Sequence, residues 1–118
     1  MNLRHFKLSE FDCSHTGENH MEEAFLKRLD QLRTFCGFGF KITSGYRDPS
    51  HPSEASKPQP GTHSRGIAAD IAVSNGYQRA LIVKFAIAMG FSGIGVAKNF
   101  VHVDDRGGTP VMWGYNGW

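Results

Sequence analysis

The segment Ile67–Val73, IAADIAV, places one aspartate inside an otherwise apolar run. This alternation predicts a β-strand, because successive side chains of a strand point to opposite faces of the sheet. One face carries only apolar side chains, those of Ile67, Ala69, Ile71 and Val73. Asp70 projects from the other face between two alanines. A carboxylate in such a place is costly unless a cation or hydrogen-bond donors compensate its charge, so the sequence predicts a partner beside Asp70.

Two helices are predicted on either side of this strand. In the first, apolar residues recur at helical spacing at Phe25, Leu29, Leu32 and Cys36, and Gly37 ends the pattern. Asn19 with Glu22 resembles a capping box that would begin this helix. The second helix is expected from about Tyr77 to Met89, with Gly90 as its C-terminal stop. Its apolar side chains at steps of three or four are Tyr77, Leu81, Phe85 and Ala88.

Further strands are expected at Phe40–Ser44, in GIGVA at 93–97 and in NFVHVDD at 99–105, with an edge strand near Val111–Tyr115. The resulting order is helix, strand, loop, strand, helix, strand, strand. It predicts an α+β fold with two main helices and a small, mostly antiparallel sheet. The loop at 48–62 contains four of the five prolines and no large apolar residue. A loop of this length in a small domain is typically functional or disordered.

The length of 118 residues predicts one domain, 1–118. The net charge is +2, and no block of five or more Lys or Arg occurs, which argues against a nucleic-acid partner. No run approaches the ~20 apolar residues needed to cross a bilayer, and the N-terminus lacks the apolar core of a signal peptide. Cys13 and Cys36 are too few for a disulfide framework and are expected to be reduced core thiols. A monomer is the expected state.

The alternation in NFVHVDD places Phe100, His102 and Asp104 on one face of its strand. With His63 and Asp70, the chain then offers two imidazoles and two carboxylates. A catalytic zinc typically has three protein ligands and one position open to water, which a His63, Asp70 and His102 set would satisfy. By spacing alone, the alternative is that such a His-x-Asp pair forms only a surface ion pair.

Three segments resemble motifs of the zinc D-Ala-D-Ala carboxypeptidase family: SGYRD at 44–48, THSRGIAADIAV at 62–73 and GIGVAKNFVHVDDR at 93–106. The similarity extends to KLSEFDCS at 7–14 and LDQLRTFCG at 29–37, and so covers most of the chain. It is greatest with the small single-domain members found in bacteriophages. The wider group includes murein endopeptidases and shares its fold with hedgehog signalling domains. The resemblance therefore implies a hedgehog/D-Ala-D-Ala peptidase-like fold.

Carried over to matching positions, the resemblance implies that His63, Asp70 and His102 bind zinc. It implies that Arg47 contacts the carbonyl or carboxylate of the substrate, a task suited to a planar, permanently charged group. Ser44, in the same motif, is implied to contact the substrate or the hydrolytic water.

Two of these residues have structural alternatives. For Arg47 the alternative is an ion pair with Asp48 or Asp12. For Ser44 it is a hydroxyl that caps the turn after its strand.

The chain departs from the family at the general base. Some members place an acidic residue three positions before the last ligand, where this chain has Asn99. Others place a histidine two positions before it, where this chain has Phe100. The form HVD, which the phage-type branch shares, leaves Asp104. This carboxylate could accept a proton from the hydrolytic water, or orient the imidazole of His102.

The remaining polar and aromatic residues near these motifs are assigned supporting roles. Arg106 is expected to pair with an acidic neighbour or to support Asp104. Trp113 and Tyr115 either close the core or form a wall of the cleft. The other histidines, His5, His15, His20 and His51, are expected to be solvated, although His51 would line a groove if the 48–62 loop covers the site.

Together these observations predict a zinc-dependent peptidase (cofactor Zn²⁺) that acts on peptidoglycan stem peptides. A chain made without a signal suggests a phage product, kept in the host cytoplasm until release as an endolysin or carried in the virion. Carboxypeptidase cleavage of terminal D-Ala, cleavage between L-Ala and D-Glu and cleavage of cross-bridges all fit the same ligands. Two rivals are a zinc-containing binding module without turnover and a metal-free assembly domain of a virus particle.

Overall fold

The computed structural model describes residues 2–115. A 3₁₀ helix at Leu8–Phe11 precedes two α-helices and five β-strands. In chain order these are α1 (Glu23–Cys36), β1 (Ile42–Ser44), β2 (Ala68–Ala72), α2 (Gly76–Met89), β3 (Gly93–Val96), β4 (Phe100–Asp104) and β5 (Val111–Gly114). This order of helices and strands is the one that the sequence predicts, and the α+β fold class is confirmed.

The five strands form one sheet in the order β1-β2-β4-β3-β5. The pairs β1–β2, β2–β4 and β3–β4 are antiparallel, whereas β3–β5 is parallel. The sheet is therefore mostly antiparallel, as expected, with a parallel strand at one edge.

One row of directly opposed residues crosses the whole sheet. Asp70 pairs with Ser44 on one side and with His102 on the other. His102 in turn pairs with Gly95, and Gly95 pairs with Trp113. Directly opposed residues present their side chains on the same face of a sheet. The strand register alone therefore brings two of the predicted metal ligands together.

The opposite face of the sheet forms the core. Ala69 and Ile71 of β2 and Val101 and Val103 of β4 are all fully buried, and they belong to one apolar cluster with residues of both α-helices. The strand alternation predicted for both segments is confirmed. It separates a dry, apolar face from a polar one that carries Asp70, His102 and Asp104.

Helix α1 ends as predicted but begins elsewhere. Gly37 terminates the helix in a left-handed conformation with φ of 76°. Glycine adopts this conformation without strain because it has no Cβ atom. The predicted capping box is wrong, because Glu22 is the N-cap residue and makes no side-chain capping bond. The Asn19 side chain instead accepts a hydrogen bond from the backbone of Met21, so it forms a local turn before the helix.

Helix α2 packs through a face that only partly matches the predicted one, because Leu81 and Phe85 are half-buried against the core. Its fully buried residues are Ile82 and Ala86, whereas Tyr77 is 73% exposed and Ala88 is exposed as well. The helix is apolar around much of its circumference, so spacing alone does not single out the buried stripe. Within residues 2–115, no helix combines the length and apolar character needed to span a membrane.

Both cysteines are buried and free, as expected for core thiols. Burial raises the pKa of Cys36 to about 11. The sulfur of Cys13 accepts a hydrogen bond from the backbone of Asp48 at 3.3 Å, which ties the N-terminal segment to the start of the 48–62 loop.

Candidate metal centre

Three buried side chains converge on the polar face of the sheet. His102 Nδ1 lies 3.0 Å from Asp70 Oδ1 and 3.2 Å from His63 Nε2. His63 Nε2 lies 3.3 Å from the same Asp70 oxygen. These are the three residues that the sequence predicts as ligands, and they form the one group of this kind within the described residues that could hold a metal ion.

The spacing of the three atoms fits a tetrahedral metal site. Zinc binds nitrogen and oxygen ligands at about 2.0–2.1 Å. Two ligands of a tetrahedral ion are then about 3.3 Å apart, since the edge of a tetrahedron is about 1.63 times its centre-to-corner distance. The observed distances of 3.0, 3.2 and 3.3 Å lie close to this value. Three protein ligands would leave a fourth position open towards the cavity.

The outer nitrogen of each imidazole has a hydrogen-bond acceptor of its own. Nδ1 of His63 donates to the carbonyl oxygen of Gly45 at 2.8 Å, and Nε2 of His102 donates to Oδ2 of Asp104 at 2.7 Å. In neutral rings this arrangement directs the lone pairs of the inner nitrogens towards Asp70. Metal-binding histidines are held in the same way, by a carbonyl or carboxylate on the nitrogen that does not bind the metal.

The local charges also favour a cation between these groups. Burial opposes ionisation of Asp70, but a hydrogen bond from the imidazolium form of His102 holds the pKa of Asp70 below the usual value. Burial lowers the pKa of His102, whereas hydrogen bonds to Asp104 and Asp70 raise it, and the net pKa lies above the usual value. A proton on His102 and a metal ion thus meet the same requirement, which is positive charge beside the buried carboxylate of Asp70. This arrangement supplies the partner that Asp70 was expected to need.

Asp104 is fully buried and engaged on both oxygens. Besides His102, it accepts hydrogen bonds from Arg106, through Nη2 at 2.8 Å and Nε at 3.0 Å. Burial raises the pKa of Asp104, but the hydrogen bonds from His102 and Arg106 lower it below the usual value. The expected pairing of Arg106 is confirmed. Asp104 therefore lies behind His102 and contacts the candidate metal ligands only through that ring.

Space for the Asp104 carboxylate depends on Gly93 of β3. The two residues are directly opposed in the β3–β4 pair. A Cβ atom at Gly93 would overlap the carboxylate. A glycine is needed here for close approach, which the strand pattern alone does not reveal.

Arg47 contacts the centre from the end of β1. Its Nη2 lies 3.4 Å from Oδ2 of Asp70, the oxygen that faces away from the imidazoles. Its Nη1 lies 3.6 Å from Glu54, and its Nε donates to the hydroxyl of Ser44 at 3.0 Å. Ser44 lies outside the described lining of the cavity above the centre and lines a separate, smaller pocket.

The alternative role considered for Arg47 was an ion pair with Asp48 or Asp12, and the described contacts include neither pair. The Asp48 carboxylate accepts hydrogen bonds from Ser50, and Asp12 accepts one from Asn19. Neither carboxylate pairs with Arg47 among the contacts of residues 2–115.

Glu54 is a central residue of the 48–62 loop that the sequence patterns do not predict. Its side chain is 1% exposed and forms an ion pair with Lys57 at 2.7 Å. It also accepts hydrogen bonds from the backbone of Gly61 and the hydroxyl of Ser64. Glu54 thus connects the C-terminal end of the loop to Arg47. One signal was available, because Glu54 is the only acidic residue between positions 48 and 70.

A cavity of about 520 Å³ lies above the three candidate ligands. One part of its lining is aromatic and consists of Phe100, Trp113 and Tyr115. The rings of His102 and Trp113 are 5.2 Å apart, and Gly95 leaves room for the indole, since a Cβ there would lie 2.7 Å from it. Trp113 and Tyr115 were expected either to close the core or to form a wall of the cleft, and the structure places both in the wall of the cleft.

The 48–62 loop forms another part of the lining through Lys57, Pro60, Gly61 and Thr62. This placement agrees with the functional role that is typical of a loop of this length. His51 lies outside the described lining and packs against His15, with ring centroids 6.0 Å apart. None of the four other histidines is buried.

Comparison with known proteins agrees with this geometry. A family model described as Peptidase M15 matches residues 4–104. That range includes the three candidate ligands, Arg47 and Asp104. Among curated proteins, no match was found. Because the family match spans most of the chain, the protein belongs to the peptidase M15 family, the family of zinc D-Ala-D-Ala carboxypeptidases.

Proposed function

We propose that this protein is a zinc-dependent peptidase, formed by one domain, that hydrolyses peptide bonds in peptidoglycan stem peptides. The observation that carries the proposal is the convergence of His63, Asp70 and His102 at the base of the cavity. Membership in the M15 family supports the peptidase activity. The net charge of +2 is compatible with an anionic polymer such as the bacterial cell wall.

Zinc held by these three side chains would polarise the scissile carbonyl and lower the pKa of water towards ~7. The protein's own contribution is positioning. Arg47 is held by Ser44 and Glu54 beside Asp70, where its guanidinium can stabilise negative charge that develops on the carbonyl oxygen. Ser44 acts through Arg47, because its hydroxyl accepts the Nε–H of that side chain.

For Asp104 the contacts favour orientation of His102 over a direct role as general base. Its carboxylate is 0% exposed and is held between His102 and Arg106. A base must reach the proton that it removes, and Asp104 faces away from the cavity lining. We therefore assign Asp104 the task of fixing the tautomer and orientation of a metal ligand.

The test is digestion of purified peptidoglycan, followed by mass spectrometry of the muropeptides. Zinc-loaded protein should release defined products, a chelator should abolish their release, and added zinc should restore it. Loss of a terminal alanine, a new D-Glu amino terminus or conversion of cross-linked dimers to monomers would identify the three bonds in turn. His63→Ala should be inactive, whereas His15→Ala, which removes an imidazole outside the cavity, should remain active.

One observation favours a second candidate, a zinc-containing binding module of the same fold. Asp70 is the single carboxylate among the described residues that line the cavity, so a second acidic side chain is not available there as a base. Zinc-loaded protein that binds peptidoglycan and yields no product from any stem peptide would contradict the peptidase and support the module. Absence of stoichiometric zinc, with unchanged folding of His63→Ala, would instead indicate a metal-free assembly domain.

The proposed setting is a bacteriophage infection. There the protein would act as an endolysin, released from the host cytoplasm to the wall at lysis, or as part of the virion. Digestion of peptidoglycan by purified virions, compared with clarified lysate depleted of virions, separates these two settings.

A further inference from the structure

The cavity lining contains four cationic side chains, which are those of Arg47, Lys57, Arg65 and Arg106. Three of them have carboxylate partners in the protein. Arg47 pairs with Asp70 and Glu54, Lys57 pairs with Glu54, and Arg106 pairs with Asp104.

Arg65 differs from the other three cations. It is exposed, and its guanidinium makes no hydrogen bond or ion pair with any residue in the 2–115 range. The other three cations share three carboxylates, those of Glu54, Asp70 and Asp104. Within residues 2–115, Arg65 is thus the cation of the cavity lining that has no carboxylate partner.

The backbone below Arg65 is held firmly even though its side chain is unengaged. Its N–H donates to the carbonyl of Gly61 at 3.1 Å, and the next N–H, of Gly66, donates to His63. Gly66 has φ of 74°, and any Cβ there would overlap the carbonyl of His20. The carbonyl of Gly66 accepts from Glu22 at 2.8 Å. The turn that carries the metal ligand His63 therefore also fixes the base of Arg65 at the rim of the cavity.

We propose that Arg65 binds a free carboxylate of the substrate at a subsite next to the metal centre. This proposal rests on the proposed function and refines it. Arg47 already pairs with two carboxylates of the protein, Glu54 and Asp70. Its proposed role is to stabilise charge on the oxygen of the scissile carbonyl, so a different cation is needed for a carboxylate of the substrate. Arg65 offers a planar set of donors that matches a carboxylate in two-point contact. The protein should therefore prefer peptides in which that carboxylate is ionised over those in which it is an amide.

The experiment uses three synthetic stem pentapeptides of L-Ala, D-Glu, L-Lys, D-Ala and D-Ala. One has both carboxylates free, one is amidated at the D-Glu α-carboxyl, and one is amidated at the terminal D-Ala. Binding is measured calorimetrically on protein kept metal-free by a chelator, so that it does not depend on turnover. Values of kcat and KM are measured on zinc-loaded protein.

Wild-type protein should bind the free pentapeptide about tenfold more tightly than one of the two amides, the size expected for a charged hydrogen-bonded contact. The amide that loses affinity identifies the carboxylate. Arg65→Gln should abolish this difference and raise KM with little change in kcat. Lys84→Gln should keep the preference, because it removes an equal charge from α2, which packs on the other face of the sheet.

An unchanged preference in Arg65→Gln, or equal binding of all three peptides by wild-type protein, would overturn the proposal even if zinc-loaded protein cleaves them. Conversely, a preference that depends on Arg65 in a protein that cleaves neither these peptides nor purified, cross-linked peptidoglycan would retain this subsite and reject the peptidase. The two failures are therefore distinguishable.

Discussion

The Nε2 atom of His102 lies 2.7 Å from Oδ2 of Asp104, while Nδ1 of the same ring lies 3.0 Å from Asp70. One imidazole thus joins a carboxylate of the candidate centre to a fully buried carboxylate behind it. The buried carboxylate is in turn held by Arg106. This arrangement fixes which nitrogen of His102 faces the centre, and its effect can be measured on metal affinity separately from turnover.

We predict that Asp104→Asn lowers zinc affinity about 10- to 100-fold, the range typical for loss of a carboxylate that orients a metal-binding histidine. An amide accepts the His102 proton less strongly and leaves Arg106 without its counter-charge. Affinity is measured by competition with a chromophoric chelator. Asp105→Asn is the matched control, because that neighbouring carboxylate pairs with Arg28 instead. Zinc affinity equal to wild type, with a loss confined to kcat, would contradict orientation and favour Asp104 as the base.

We predict that Gly93→Ala destabilises the protein by about 1–3 kcal/mol, the usual cost of overpacking a well-packed site. The added methyl would overlap the Asp104 carboxylate, so zinc affinity should fall as well. Gly114→Ala in β5 provides a control, because a Cβ there meets its nearest atom at 3.8 Å. Denaturant unfolding measures stability. Equal stability of the two variants would mean that the carboxylate can move aside at no cost.

The strand register explains why much of the centre could be predicted from the sequence. Period-two alternation identifies the polar face of β2 and β4, which carries Asp70, His102 and Asp104. His63 lies in a turn where periodicity is uninformative, so its place in the ligand set is suggested by the ligand preference of zinc and assigned by the family resemblance. The fold class follows from the order of elements, and Gly37 and Gly90 end their helices as predicted.

The remaining features depend on contacts that are distant in sequence. The buried stripe of α2 and the start of α1 are set by tertiary packing, which overrides local pattern. Glu54 is buried only because Lys57, Gly61 and Ser64 surround it in a loop without periodicity. Whether Trp113 closes the core or walls the cleft depends on the parallel pairing of β5 with β3, which the order of elements does not specify.

We predict that zinc stabilises the folded protein, by an amount that grows with the logarithm of the free zinc concentration once the site is saturated. Free zinc at a hundredfold excess over its dissociation constant should add about 2.7 kcal/mol, provided that the unfolded chain does not bind it. The midpoint of thermal unfolding should therefore rise with zinc concentration. His63→Ala should lose this response, whereas His15→Ala should keep it. A similar rise in His63→Ala would indicate that zinc binds somewhere other than the candidate centre.

We predict that Glu54→Gln destabilises the protein by about 2 kcal/mol at pH 7, the size of a charged hydrogen bond. Burial raises the pKa of Glu54, but hydrogen bonds from Lys57 and Gly61 and the charge of Lys57 hold it below the usual value. The charged groups that face this carboxylate are Arg47 and Lys57. The pKa of Glu54 is lower in the folded protein than in the unfolded chain, where it is about 4.3. The stabilisation from this carboxylate is therefore fully present above pH 4.3, and it is lost as the pH falls through the pKa of Glu54 in the folded protein.

The pH dependence separates this charge effect from a simple loss of packing. Urea unfolding of wild-type protein and Glu54→Gln, both in chelator, should show a difference at pH 7 that shrinks steadily below pH 4. Glu10→Gln serves as the control, because that exposed carboxylate accepts one backbone hydrogen bond, from Lys7. A difference that stays constant down to pH 3 would mean that Glu54 stabilises the loop through shape alone. Its effect on Arg47 should appear as a lower kcat with unchanged zinc affinity, since Glu54 contacts the guanidinium and none of the three candidate ligands.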